Sequence, residues 1–343
     1  HTLSGELAYQ AGHYLGHFAA ELEGPAGAFS LASPLSGDMQ QVFLPELQLR
    51  AGRGRADGQL SLGFADGLRW DTNLQLQDFD PAYWLAELPG TLGGPLRSQG
   101  ELKNEQLSMS ADLDLTGRLR GQPALFQARA TGAGQRWTLG HLDLRLGDNR
   151  IDGSAELNQR LSGQLRIGLS RLGQLWPNMQ GQLDGQLDLA GSLQAPQGQL
   201  KLQGQRLALA EQQLQRLQLD ASLNSQQRAR VDLDATGISV GERNLGRLTA
   251  SGQGDQRQQQ LSVTLDGPLL NSALALDGSL SNGAWRGRLS RGEVQSGGQD
   301  WRLQQPATLV RLANGQLTLG AHCWRAAAAS LCGDEQRLLP EPR

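Results

Sequence analysis

A hydropathy period of two is the feature that most narrows what this chain can fold into. Residues 181–193 read GQLDGQLDLAGSL, with Leu183, Leu187, Leu189 and Leu193 on one parity and Gln182, Asp184, Gln186 and Asp188 on the other. The same alternation fills 141–146 (HLDLRL), 199–209 (QLKLQGQRLAL), 217–223 (LQLDASL), 231–235 (VDLDA) and 261–265 (LSVTL). Successive strand residues point to opposite faces, so each stretch carries a leucine face and a Gln/Asp/Arg face. One-sided strands of this kind belong to antiparallel sheets with one solvated face. Turn signals such as GDN, NG, DG and SGG recur every ~8–14 residues, the spacing of an all-β chain. Leucine is not a favoured strand former, so the pattern rather than the propensity specifies strand.

Composition then limits what the strands build. Only 38% of the residues are hydrophobic and 5% aromatic, with 45 Gly, against roughly 45–50% apolar in ordinary soluble domains. Disorder would bring high net charge and weak patterning, whereas here the net charge is −3 and the patterning is strong. Each element therefore has a single apolar face. With 31 basic and 34 acidic residues, the chain lacks the basic footprint of a nucleic-acid binder. No stretch approaches the ~20 apolar residues of a membrane helix. His1 opens directly into alternating sequence, which suggests a fragment of a longer chain with any anchor or export signal upstream.

Two short helices are expected. DPAYWLAEL (80–88) places Asp80 as N-cap and Pro81 at the first helical position. SRLGQLWP places Ser170 as N-cap over 170–176, with Pro177 as the stop. AAAAS at 326–330 reads as a turn. Internal repetition frames them. Residues 47–62 (LQLRAGRGRADGQLSL) align without gaps to 142–157 (LDLRLGDNRIDGSAEL). Each block leads through a strand and a short helix to Gly-x-Leu-x-Gly-x-Leu: Gly90, Leu92, Gly94, Leu96, then Gly181, Leu183, Gly185, Leu187. The expected units are 47–139 and 142–235, with shorter ones at 214–244 and 245–280 and terminal hairpins over 281–343.

Repeats that cannot each bury an apolar face must stack. At ~12 residues per strand and turn the chain supplies about 28 strands, roughly 130 Å of sheet at ~4.8 Å per strand. The leucine face would expose far more than the few hundred Å² a soluble monomer tolerates. The expected fold is all-β: an elongated, curled antiparallel sheet whose apolar interior forms one continuous groove over 1–343. Its lining is expected to be Leu142, Leu144, Leu146, Leu183, Leu187, Leu189, Leu193, Leu200, Leu202, Leu217, Leu219, Leu261 and Val263. A β-solenoid of structural or adhesive role would show repeats nearer 20–25 residues, and a membrane barrel would carry aromatic girdles that 3 Tyr and 6 Phe do not supply.

Candidate chemistry is sparse. Gly237-Ile238-Ser239-Val240-Gly241 matches a nucleophile elbow, but such an elbow needs a helix after it, and ERNLGRLTASGQG continues as strand. His13 and His17 share a strand face without a nearby acidic or thiol ligand, so no metal is expected there. Cys323 and Cys332, the two cysteines, are spaced to close a hairpin. In an oxidising compartment they would form a disulfide; a zinc site with His322 and buried free thiols are the alternatives. Seven tryptophans are dispersed and read as packing residues. No catalytic residue and no cofactor is expected.

LDLRLGDNRIDGSAEL, then SRLGQLWPNMQGQLDGQLDLAGSLQAPQGQLKLQGQRLAL, then HCWRAAAASLC resemble, in that order, stretches of the TamB family within the AsmA-like, bridge-like lipid-transfer group. The resemblance covers most of 47–335 and reads as a central-to-C-terminal stretch. It implies a β-taco fold, a Gram-negative periplasmic location with an inner-membrane anchor upstream, and a role in outer-membrane biogenesis. The implied partners are phospholipid acyl chains and a TamA-like outer-membrane β-barrel, the latter met through regions outside this chain.

Overall fold

The computed structural model describes residues 2–24, 27–83, 87–327 and 329–340. Strand accounts for 77% of the described residues and helix for 2%, and every strand pairing is antiparallel. The estimate of about 28 strands compares with 26 found among the described residues. The chain divides into two compact units, His1–Leu169 and Ser170–Arg343.

Unit 1 is a meander of twelve strands, each paired with the next: β1 (Thr2–Gln10), β2 (His13–Gly24), β3 (Gly27–Gly37), β4 (Gln41–Ala51), β5 (Gly54–Gly63), β6 (Leu68–Phe79), β7 (Gly90–Lys103), β8 (Gln106–Leu119), β9 (Gln122–Ala133), β10 (Arg136–Leu146), β11 (Asn149–Asn158) and β12 (Arg160–Leu169). In a meander the turns after odd-numbered strands line one edge and those after even-numbered strands the other. Directly opposed residues face the same side, so cross-strand partners can be followed as rungs. One apolar rung runs Leu47, Gly58, Leu74, Leu96, Leu113, Ala128, Leu142, Gly153, Leu165. The next, nearer the even edge, runs Leu115, Phe126, Leu144, Ile151, Ile167. At the even edge the apolar side chains are buried: Ala51, Leu76, Leu92, Leu119, Leu146 and Leu169. Leu119 is only 1% exposed.

The aligned blocks 47–62 and 142–157 become the hairpins β4–β5 and β10–β11. Their turns hold Gly52 and Gly147 at φ +59 and +60, a left-handed backbone that glycine adopts without a Cβ penalty. Bulges interrupt the alternation. β10 shifts register between Leu139 and Leu142, so Trp137 and Leu139 share a face with Leu142, Leu144 and Leu146 despite opposite sequence parity.

Of the two expected helices, the first is a single 3-10 turn at Pro81–Tyr83, capped by a 3.0 Å bond from the Ala82 amide to Asp80 Oδ1; residues 84–86 of the expected 80–88 stretch lie outside the described residues. The second is a 3-10 turn at Leu172–Gln174 whose N-cap is Arg171 without a side-chain cap bond, so Ser170 does not take the role expected of it.

Unit 2 continues with β13 (Met179–Gly191), β14 (Pro196–Leu209), β15 (Gln212–Leu223), β16 (Ala229–Val240), β17 (Arg243–Gly254), β18 (Gln259–Asp266), β19 (Asn271–Ser281) and β20 (Ala284–Ser296), again each paired to the next. Then the sheet forks. The first half of β20 pairs with β22 (Ala307–Arg311) and the second half with β21 (Gln299–Leu303). One branch continues through β24 (His322–Ala326) to β25 (Ala329–Gly333), the other through β23 (Leu317–Leu319) to β26 (Gln336–Leu339).

Candidate functional site

In unit 2 the leucine face resolves into three rungs. The first is Leu183, Gly204, Leu217, Ala235, Leu248, Leu265; the second Gly185, Leu202, Leu219, Leu233, Ala250, Val263, Leu274; the third Leu187, Leu200, Ala221, Val231, Gly252, Leu261, Leu276, Leu289. Leu189 starts a fourth, opposite Gly198. The structure thus gathers eight of the nominated residues into these three rungs and adds Leu189 beside them. Leu142, Leu144 and Leu146 lie on the apolar face of unit 1, with Leu146 buried at the even edge. Leu193 does not join them: β13 ends at Gly191, and Leu193 sits in the 192–195 connection, 53% exposed.

The opposite face is polar rung by rung. Asp184, Gln203, Gln218, Asp234, Thr249 and Thr264 form one row; Gln186, Lys201, Asp220, Asp232, Ser251 and Ser262 form the next. Along β15 these residues are exposed while Leu217, Leu219 and Ala221 between them are half-buried. The difference in cover means the molecule shields its leucine side. A hollow of about 360 Å³ does open on the polar face, between Gln218, Asp220, Asp232, Asp234, Ser251 and Thr264. Its hydroxyls and carboxylates suit water, not hydrocarbon.

One polar cluster escaped the sequence reading. Asp143 has a side chain only 5% exposed and lies on the polar face of β10. Two guanidinium groups clamp it: Arg145 through Nε and Nη2 at 3.0 and 2.6 Å, and Arg150 through Nε and Nη2 at 3.0 and 3.1 Å. The hydrogen bonds from Arg145 hold its carboxyl below the usual carboxylate range, against the opposing effect of burial. Arg150 also meets Asp152 at 3.3 Å, and Arg166 meets Asp152 at 3.0 Å. In the first copy Gln48 replaces Asp143, and Arg55 pairs with Asp57 at 3.5 Å. The signal was present as D-x-R before the turn and R-x-D after it. These bonds tie adjacent strands and leave no unpaired group for chemistry.

The remaining candidates are placed plainly. Ser239 lies within β16, and Gly241 leads through a tight turn into β17 rather than into a helix, so the elbow geometry is not formed. His13 and His17 are exposed on one face of β2. Among the described residues, no three His, Cys, Asp or Glu side chains group to hold a metal ion. Cys323 and Cys332 are direct cross-strand partners in β24–β25, with their sulfurs joined at 2.10 Å. No helix among the described residues is long and apolar enough to cross a membrane.

Comparison with known proteins meets this geometry. The Haemophilus influenzae protein named translocation and assembly module subunit TamB is 23% identical over 333 residues, covering 92% of this chain and 25% of the relative. The chain therefore spans about a quarter of the length of that curated relative. No solved structure matches. Residues 10–339 match the family model described as TamB, N-terminal domain, a match that does not support the central-to-C-terminal placement expected from the motif order. A match across nearly the whole sheet identifies this chain as a member of the TamB family.

Proposed function

We propose that this chain is a non-enzymatic segment of a periplasmic β-groove in outer-membrane biogenesis, whose leucine face shields phospholipid acyl chains on their way between the inner and outer membranes. The observation that carries this reading is the unbroken run of apolar rungs. From β13 to β20 every position of the second and third rungs is Leu, Val, Ala or Gly, so a hydrocarbon chain meets no buried polar group along the way. Hydrocarbon needs only continuous apolar contact, worth about 25 cal/mol per Å² removed from water, and asks for no specific polar partner. Attachment to the inner membrane and contact with an outer-membrane barrel would be made by regions of a parent protein beyond these residues.

A second reading rests on the name of the Haemophilus relative, a translocation and assembly module subunit. In that reading the sheet is a scaffold for assembling outer-membrane β-barrel proteins, and its polar outer surface is the working face. A cell-based test separates the two. Leu187→Arg puts a charge on the leucine face, and Gln186→Arg puts one on the polar face. In a full-length parent protein, the conduit reading expects loss of outer-membrane integrity from Leu187→Arg alone, at normal expression. Equal tolerance of both substitutions would overturn the conduit and favour the scaffold.

A further inference from the structure

Unit 1 treats its two edges differently, and the difference gives a groove there a direction of entry. The innermost apolar side chains cluster at the even edge, where Leu76, Leu92, Leu119 and Leu169 are 1–7% exposed. The odd edge is the reverse. There Leu68, Leu102, Phe64 and Met39 are 41%, 43%, 51% and 78% exposed; the terminal strand β1 is exposed at both ends, Leu3 at 78% and Tyr9 at 63%. Just inside that edge one rung crosses all twelve strands: Tyr9, Tyr14, Gly37, Val42, Leu62, Trp70, Gly100, Met109, Gly132, Trp137, Leu157, Leu161. It holds no charged residue; one further uncharged rung, through Leu60, Thr72, Ser98, Ala130 and Leu139, lies between it and the leucine rungs, and its Thr72 and Ser98 hydroxyls are both hydrogen-bonded.

The tryptophans of this rung are laid flat. A Cβ on Gly100 would come within 2.4 Å of the Trp70 ring, and one on Gly132 within 2.2 Å of the Trp137 ring. Each indole therefore lies across the backbone of its cross-strand glycine. Each indole N–H is already used: Trp70 Nε1 donates to Ser98 Oγ at 3.0 Å, and Trp137 Nε1 donates to the Gly134 carbonyl at 2.8 Å. What remains for a ligand is ring surface alone. The same device recurs in unit 2, where Trp285 lies over Gly278 and gives its N–H to Gln259 at 2.8 Å.

We infer that amphiphiles enter unit 1 sideways over its odd edge, with the hydrocarbon crossing Trp70 and Trp137 toward the closed even edge and the polar end left in water outside. This rests on the acyl-chain reading above and assigns Trp70, Met109 and Trp137 as the lip that touches the ligand. A polar headgroup passing this rung would be desolvated without a partner, whereas aromatic rings bury well at a boundary between apolar and wet surroundings.

The test uses the 343-residue chain and stearic acid carrying a nitroxide near its carboxyl end or near its methyl end. One variant keeps Trp137 as its sole tryptophan; a second replaces Trp137 by Phe and carries Phe126→Trp, three rungs further toward the even edge. The expected result is that the carboxyl-end label removes most of the Trp137 emission and the methyl-end label most of the emission from position 126. Equal quenching by both labels at both positions would overturn the direction while leaving the groove intact. No quenching at either position would sink the acyl-chain reading itself. Trp137 emission that shifts with protein concentration in the absence of lipid would overturn the proposal in favour of a rim that docks a second copy. If the tryptophan-poor chain does not fold, a photo-crosslinking residue in place of Leu102 or Leu92, in the otherwise unaltered chain, reads the same question: the account expects a stearic acid adduct from 102 and none from 92, and the reverse pattern would contradict it.

Discussion

Unit 1 buries the leucines of its even edge, whereas unit 2 leaves most of its leucine face half-exposed along β13–β18. Both are built from the same alternating strands. Unit 1 closely covers Ala51, Leu92, Leu119 and Leu146, making that edge a packed core. Unit 2 answers with a fork at β20 and a cross-linked hairpin, so its order is imposed at one end. A sheet of one-sided strands can thus be stabilised either by closing an edge or by fastening a terminus. The rungs between are mostly half-buried in both.

The contrast breaks first at the cores. Leu119→Ala should cost about 3–5 kcal/mol, the loss for a fully buried leucine, read as a lower denaturation midpoint for the transition of unit 1. Leu187→Ala, at a half-exposed rung of unit 2, should cost under ~1.5 kcal/mol, because only the buried part of the side chain is withdrawn from water. Equal losses would mean that the two faces are equally covered.

Reducing the Cys323–Cys332 bond should cost about 2–3 kcal/mol in the chain-entropy account of a short loop. The loss should stay in β24–β25 and their neighbours, because stacked strands pass stability mainly to adjacent ones. Hydrogen exchange before and after reduction would measure this; faster exchange in β4–β9 would contradict it. Thiol labelling of unfolded, unreduced protein made in an oxidising compartment should find no free thiol.

The smallest effect concerns Asp143. Its folded pKa is lowered, so its contribution to stability is present above the unfolded carboxylate value of about 3.9 and is lost as pH falls through the lower folded value. Unit 1 should therefore weaken below about pH 4. Asp143→Asn should cost on the order of 1–2 kcal/mol at neutral pH through weakened charge-assisted bonds and remove that part of the acid sensitivity. An unchanged acid transition in the variant would show that other carboxylates carry it.

Much of this fold was legible because the pattern is local. The parity of leucine in 141–146, in Leu200 and Leu202, and in 217–223 places those residues on one face, as β10, β14 and β15 do. Parity failed where the backbone departs from it. Leu193 continues the alternation in sequence, yet Gly191 at φ +96 ends the strand before it. The bulge in β10 joins Trp137 and Leu139 to a face that simple counting assigns to the other side. The helix expected at 170–176 shrank to a single 3-10 turn because β13 resumes at Met179. The Asp143 clamp, the closed edge and the fork at β20 depend on which strands meet, and alternation carries no record of that.

The central claim is that the leucine face holds hydrocarbon. Mass spectrometry of phospholipid co-purifying with the chain, compared between Leu187→Asp and Gln186→Asp, tests it most directly. A carboxylate on the apolar rung costs several kcal/mol to desolvate and should strip bound phospholipid, while the same charge one residue earlier, on the polar face, should leave the amount unchanged. Equal lipid content in the two folded variants, or none in the unsubstituted chain, would contradict the account.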